Sequence, residues 1–209
     1  MTSFELLYSL KKLNLLENKH PWWWDNSNIE KCIIGAILTQ NTKWENVESS
    51  FTNLEKFSDF SLDSILNLDS SILENSIRPS GFFRQKSLRI KQLFNNIQNE
   101  FLDIENFSLN VAREWLLAQK GIGFETADSI LNYALRREIM VVDKYSYKLL
   151  CSLGIEIDNY EDLQNWFMDS SLIDLYENMS LAQIYARYHG KIVEFSKKKL
   201  DPKLLLEST

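Results

Sequence analysis

Cysteine is almost absent: Cys32 and Cys151 are the whole complement of a 209-residue chain. Two thiols cannot build a four-cysteine metal or iron–sulfur site, and they give no basis for a disulfide framework. Glycine (6) and proline (3) are scarce as well. A sandwich or barrel needs turn residues at every corner, so the scarcity argues against an all-β fold. No apolar run approaches the roughly 20 residues of a membrane span. The first residues carry Glu5 and no basic start, so no signal peptide is expected and the cytoplasm is the expected location. Basic residues are outnumbered, 23 to 29, giving a net charge of −6. That balance argues against an indiscriminate polyanion binder but leaves room for a local basic face. Hydrophobic (44%) and charged (25%) shares are ordinary for a globular chain, which excludes disorder and collagen-like repeats.

What is present is helical spacing, almost everywhere. Leu6, Leu7, Leu10 and Leu13 mark a first helix, after which Pro21 and Trp22-Trp23-Trp24-Asp25 break the pattern. Ile33, Ile34, Ile37 and Leu38 predict a buried helix, and Trp44, Val47, Phe51 and Leu54 the next. Ile77 to Gly81 reads as a turn, followed by a long amphipathic helix with Leu88, Ile90, Leu93, Phe94 and Ile97. Ile139 to Val142 is a short apolar stretch, extended or irregular, and Leu181 to Leu200 suits one C-terminal helix. There is no repeat and no obvious linker. The expectation is an all-α protein of about ten short helices.

Charge is unevenly placed. Residues 78–99 hold Arg78, Arg84, Lys86, Arg89 and Lys91 with no acid. This is either a solvated helix face or a phosphate-facing patch. Between two helical patterns lies Lys120-Gly121-Ile122-Gly123-Phe124-Glu125. Two glycines around one apolar residue suit a tight hairpin that leaves backbone N–H groups at the start of the following helix. Such a start holds phosphate without net positive charge. A plain helix-to-helix turn would look the same.

Asp143 lies 18 residues beyond Glu125, after Met140-Val141-Val142. Here the chain resembles the helix–hairpin–helix DNA glycosylase superfamily, the endonuclease III class. Its members carry a Leu-Pro-Gly-Val-Gly hairpin, a helix, and an apolar stretch ending in an essential aspartate. Leu38 to Thr42 and Arg78 to Lys86 are similar to two further family segments. Trp22-Trp23-Trp24, the run from Gln40 to Trp44 and the run from Tyr188 to Lys197 resemble 3-methyladenine DNA glycosylase III in particular.

The resemblance implies two helical lobes with a central cleft. Residues 1–24 and 136–209 would form one lobe and 25–135 the other. It implies Asp143 as the catalytic residue, and Trp23, Trp24, Asp25 and Trp44 as the base pocket. Gln40, Phe82, Arg84, Lys86, Gly121, Ile122 and Gly123 would meet DNA, with Phe82 wedging into the stack and Gln40 filling the gap. The implied partner is duplex DNA containing alkylated purines. The implied enzyme is a nucleoid-associated monomer without membrane contact, metal or other cofactor.

Departures from the family pattern sharpen this. Lyase members place a nucleophilic lysine two residues after the second hairpin glycine, where this chain has Glu125; a carboxylate cannot form a Schiff base. Residues 152–209 lack cysteine, so the iron–sulfur cluster of many members is not expected. Relatives that remove adenine carry a glutamate where this chain has Ala36, so no general acid is supplied there. An alkylated purine is already cationic and needs none, and electron-rich tryptophan faces attract cations. The rival readings are a glycosylase–lyase for oxidised bases and a non-catalytic DNA-binding module.

Three residues carry a second reading. Asp143 precedes a helix and is suited to an N-cap, stabilising by about 1 kcal/mol; the same cap bonds would keep it ionised. Asp25 would add charge to a cationic base or cap the next helix. Lys191, among Tyr188, Ile192, Val193 and Phe195, would extend its stem to solvent. If buried and neutral, it would be open to modification such as carbamylation. His20 and His189 lack metal-ligand company and receive no metal role.

Overall fold

With so few glycines and prolines, side-chain caps punctuate the helices. The computed structural model describes residues 1–25 and 27–206. Asn28, Ser61, Asp69, Asp103, Asp143, Asn159 and Ser180 each accept a backbone N–H at a helix start. Thr2 and Glu5 form a reciprocal capping box on the first helix. At turns the scarcity leaves non-glycine residues in left-handed backbone, Asn14, Asn41, Leu102 and Lys199 among them. The expectation of an all-α protein holds: among the described residues no strand forms, and an isolated bridge joins His20 to Trp23 within a tight turn.

Contacts divide the chain into two units, Met1–Asp25 with Leu131–Thr209, and Asn26–Ile130. In the first unit, α1 (Ser3–Lys12) packs on the long helix α12 (Leu181–Lys197), as does α10 (Lys144–Ser152). Leu6, Leu7 and Leu10 of α1 meet Ile184, Tyr188, Ile192 and Phe195 of α12 in one core. α11 (Tyr160–Phe167) adds Leu163 and Phe167 to that core, and its Gln164 donates to the Met140 carbonyl at 2.5 Å. That bond fixes the buried, irregular stretch Met140-Val141-Val142 leading to Asp143. The predicted C-terminal helix ends three residues early, at Lys197, with Lys199 left-handed.

In the second unit, α6 (Phe83–Phe101) is the central helix. It packs on α2 (Ile29–Leu38), α4 (Leu62–Asn67), α5 (Ser70–Ser76) and α7 (Ile104–Asn110) through Ile90, Leu93, Phe94 and Ile97. α3 (Trp44–Leu54) packs on a 3₁₀ turn, Arg78–Ser80. α8 (Arg113–Leu117) and α9 (Phe124–Ser129) flank the hairpin glycines. α9 is followed by one turn of π-helix, Ile130–Ala134, a form frequent at functional sites. Among the described residues no helix is long and apolar enough to cross a membrane.

Candidate active site

Asp143 is the N-cap of α10 in extended backbone. Its Oδ1 accepts the N–H groups of Tyr145 at 2.8 Å and Ser146 at 3.0 Å, and the Ser146 hydroxyl at 3.3 Å. All the cap bonds fall on one oxygen. Oδ2 faces His189 Nε2 at 3.5 Å. Burial alone would raise the carboxyl's pKa. The neighbouring His189 and the two backbone donors outweigh it and hold the group below the usual carboxylate value. The cap role and an anionic, orientable carboxylate thus coexist in one residue.

An aromatic wall adjoins Asp143 in the same unit. Trp23 adopts left-handed backbone at φ 67°, where a bulky residue is strained, within a turn closed by its N–H on the His20 carbonyl at 2.7 Å. Arg187 and Gln183 of α12 hold that turn by donating to the Pro21 carbonyl, each at 3.1 Å. The Trp23 ring lies edge-on to His189 at 5.2 Å and to Tyr133 at 5.9 Å. Trp24 overlies Tyr133 at 4.8 Å. Gly190 makes room for this: a Cβ there would meet Trp23 Cγ at 2.6 Å. Trp22 lies under the Arg136 guanidinium, whereas Trp23 and Trp24 share Tyr133; all three are half-buried. Asp25 is exposed, and α2 takes its cap from Asn28 instead, which removes the capping alternative for Asp25.

The hairpin lies in the second unit. Gly121 is left-handed at φ 82°, a conformation that favours glycine, and a Cβ there would meet Arg89 Nε at 2.2 Å and displace that side chain. Gly123 caps α9 without a side-chain bond. Ile122 is buried, so the hairpin presents backbone rather than this side chain. Gln40, in the turn after α2, grips the hairpin: its amide donates to the Gly121 carbonyl at 3.1 Å and the Thr126 hydroxyl at 3.0 Å, and accepts from Arg89 at 2.8 Å. Filling a gap in DNA would require releasing those bonds. Phe82 is 65% exposed in left-handed backbone at the start of α6, a costly display for a phenyl ring. Trp44, half-buried at the start of α3, lies edge-on to Phe51 at 6.4 Å.

The basic run is corrected. Lys86 was expected to face phosphate, but it is 1% exposed. Its ammonium donates to the Leu38 carbonyl at the end of α2 and to the Ser80 carbonyl, at 2.8 and 2.7 Å. Burial, then the Arg89 charge, lower its pKa to about 8. Lys91 likewise donates to the Leu66 and Leu68 carbonyls. A free helix end needs such donors, and these lysines supply them. Arg78 and Arg84 remain exposed.

Lys191 is the other correction: it does not reach solvent and is 4% exposed. Burial first, then the charges of Arg187 and Lys11, lower its pKa to about 8. Between that value and the ordinary 10.5 the unfolded chain binds a proton the folded chain releases, so stability rises with pH across this window. At pH 7 the buried charge costs at most about 3 kcal/mol. Lys191→Met is expected to raise Tm at pH 7 and to lose that advantage as the pH approaches 10.5. Thermal melts at both pH values check it; a gain independent of pH would contradict it.

Reading the sequence missed His189 and Tyr133 as neighbours of Asp143. The available signal was a histidine beside a glycine in an otherwise apolar helix stretch. Among the described residues no group of three or more His, Cys, Asp or Glu is placed to hold a metal ion.

Known proteins share this fold. A crystal structure of the H. pylori 3-methyladenine DNA glycosylase MagIII bound to 1,N6-ethenoadenine is 49% identical, with a TM-score of 0.91, covering 96% of this chain and 99% of that one. A candidate DNA repair glycosylase of Methanocaldococcus jannaschii is 36% identical over 98% of this chain and 93% of its own length. A trapped endonuclease III–DNA covalent intermediate shares the fold at 17% identity, with a TM-score of 0.70 over 93% of this chain and 86% of that one. The family model for HhH-GPD superfamily base excision DNA repair proteins matches residues 34–169, and the chain belongs to that superfamily.

Proposed function

We propose that this DNA glycosylase is monofunctional and hydrolyses the N-glycosidic bond of alkylated purines of the 3-methyladenine class in duplex DNA. It acts as a monomer at the nucleoid, in base excision repair, with no metal, iron–sulfur cluster or other cofactor. The observation that carries the reading is Asp143, a largely buried carboxylate held anionic with Oδ2 left clear of the cap bonds. As the glycosidic bond lengthens, its electron pair leaves with the base and the sugar becomes cationic. A fixed anion beside that centre lowers the barrier. Water then adds at the anomeric carbon and releases its proton to solvent, which balances the charge of the cationic substrate.

Trp23, Trp24 and Trp44 supply ring faces for the extruded purine, with Asp25 adding negative charge. An alkylated purine leaves as a neutral base, so the acid missing at Ala36 is not needed. The hairpin Gly121-Ile122-Gly123 takes a DNA phosphate on its backbone, Arg84 adds charge, Phe82 enters the stack and Gln40 supports the hairpin. The 3-methyladenine glycosylase of H. pylori, similar over nearly the whole chain, supports this substrate class.

Glu125 stands exposed in the first turn of α9, where lyase members carry their amine. The protein is therefore expected to leave abasic sites uncut and to give no covalent DNA adduct under borohydride. A clear adduct would assign lyase chemistry to another amine, such as Lys120.

A further inference from the structure

Oδ1 of Asp143 is occupied by two backbone donors and a hydroxyl, so the lone pairs that face the reaction belong to Oδ2. What neighbours Oδ2 is His189. Its side chain is 7% exposed and that of Asp143 11%, and Nε2 lies 3.5 Å from Oδ2. The other ring nitrogen, Nδ1, is hydrogen-bonded to the Tyr133 hydroxyl. The tyrosine hydroxyl can donate to an imidazole nitrogen or accept from it. When the hydroxyl donates to Nδ1, the imidazole proton sits on Nε2, the nitrogen 3.5 Å from Oδ2.

The ring is fixed from other sides too. Trp23 lies edge-on to it and occupies the space that Gly190 leaves free. Within this frame Nε2 is buried and has no partner at normal hydrogen-bond length. A buried donor without a partner is costly, and such groups are rare unless they serve a function. Here the neighbouring group is the Asp143 carboxylate, 3.5 Å away. A short, strong bond would draw charge away from Oδ2, whereas a donor at this distance steadies the anion and leaves it available.

We propose that His189 is the positioning residue of Asp143. Its ring is held at Nδ1 by Tyr133, and its Nε2, 3.5 Å away, orients Oδ2 toward the developing sugar cation. No bond is made or broken at His189. The inference rests on Asp143 being the carboxylate that acts on the sugar.

The test is single-turnover release of 3-methyladenine from methylated duplex DNA by wild type, Asp143→Asn, His189→Leu, His189→Gln and Tyr133→Phe. Each protein is also measured for Tm and for its Kd toward a duplex carrying an uncleavable abasic-site analogue. His189→Leu should slow excision about 10- to 100-fold, as the carboxylate loses its polar neighbour and its fixed orientation, with Kd unchanged. His189→Gln keeps an N–H donor near the same point and should recover part of the rate. Tyr133→Phe keeps the packing but frees the tautomer, and should also slow excision with Kd unchanged. It carries the test if His189→Leu fails to fold. Wild-type rates in the variants, or equal losses in Leu and Gln that follow Tm, would overturn the proposal while an active wild type and an inactive Asp143→Asn leave the glycosylase reading intact. A wild type that releases no base would overturn both.

Discussion

Asp143→Asn is expected to slow base release about 10²- to 10³-fold, the range seen when one preorganised electrostatic group is removed. The fold should survive, because the Oδ1 cap bonds to Tyr145 and Ser146 need only a side-chain oxygen, and Asn serves as well as Asp at a helix start. DNA binding should survive too, since the hairpin and the exposed arginines are untouched. The negative charge at Oδ2 is what is lost, together with its pairing to His189. Excision rates under single turnover, with Tm and DNA affinity as controls, check the prediction. A folded Asn variant that releases base at the wild-type rate would reduce Asp143 to a helix cap.

Trp24→Ala carries the next largest effect. Trp24 overlies Tyr133 at 4.8 Å with the planes tilted 34°, and it is half-buried rather than sealed in the core. Loss of one stacking face should cost about 1–3 kcal/mol, or roughly 5- to 150-fold in kcat/KM, for a cationic purine. Neutral hypoxanthine should be affected less, so selectivity falls. A Trp that served only as core would instead cost about 3–5 kcal/mol of stability. Measuring kcat/KM on 3-methyladenine and hypoxanthine, with Tm, separates the two. A large loss of Tm with selectivity unchanged would place Trp24 in the core and leave the specificity to other residues.

Local pattern made much of the fold legible. The apolar spacing of Ile33, Ile34, Ile37 and Leu38 corresponds to α2, and that of Ile90, Leu93, Phe94 and Ile97 to the buried face of α6. Asp143 could be read both as a cap and as a site because capping chemistry is local in sequence. The short helices Ser70–Ser76 and Ile104–Asn110 were missed, since each has too few apolar residues to show a period. Lys86 and Lys91 were misread for a different reason. Of the four carbonyls they satisfy, three lie 48, 25 and 23 residues away and only Ser80 is near, 6 residues from Lys86, and a charge run does not reveal them. The same limit hid His189, which meets Asp143 only once α10 packs on α12. Nor does any sequence rule place Trp23 in left-handed backbone; that conformation follows from Arg187 and Gln183 holding its turn.

The central claim is hydrolysis at an already cationic purine without strand cleavage. It is tested most directly by incubating the protein with methylated duplex DNA, separating the released bases, and sizing the DNA before and after heating. The expected result is free 3-methyladenine, no free adenine, and strands that stay intact until heat breaks the abasic sites. Intact DNA with no released base, or strands already cut before heating, would contradict the account.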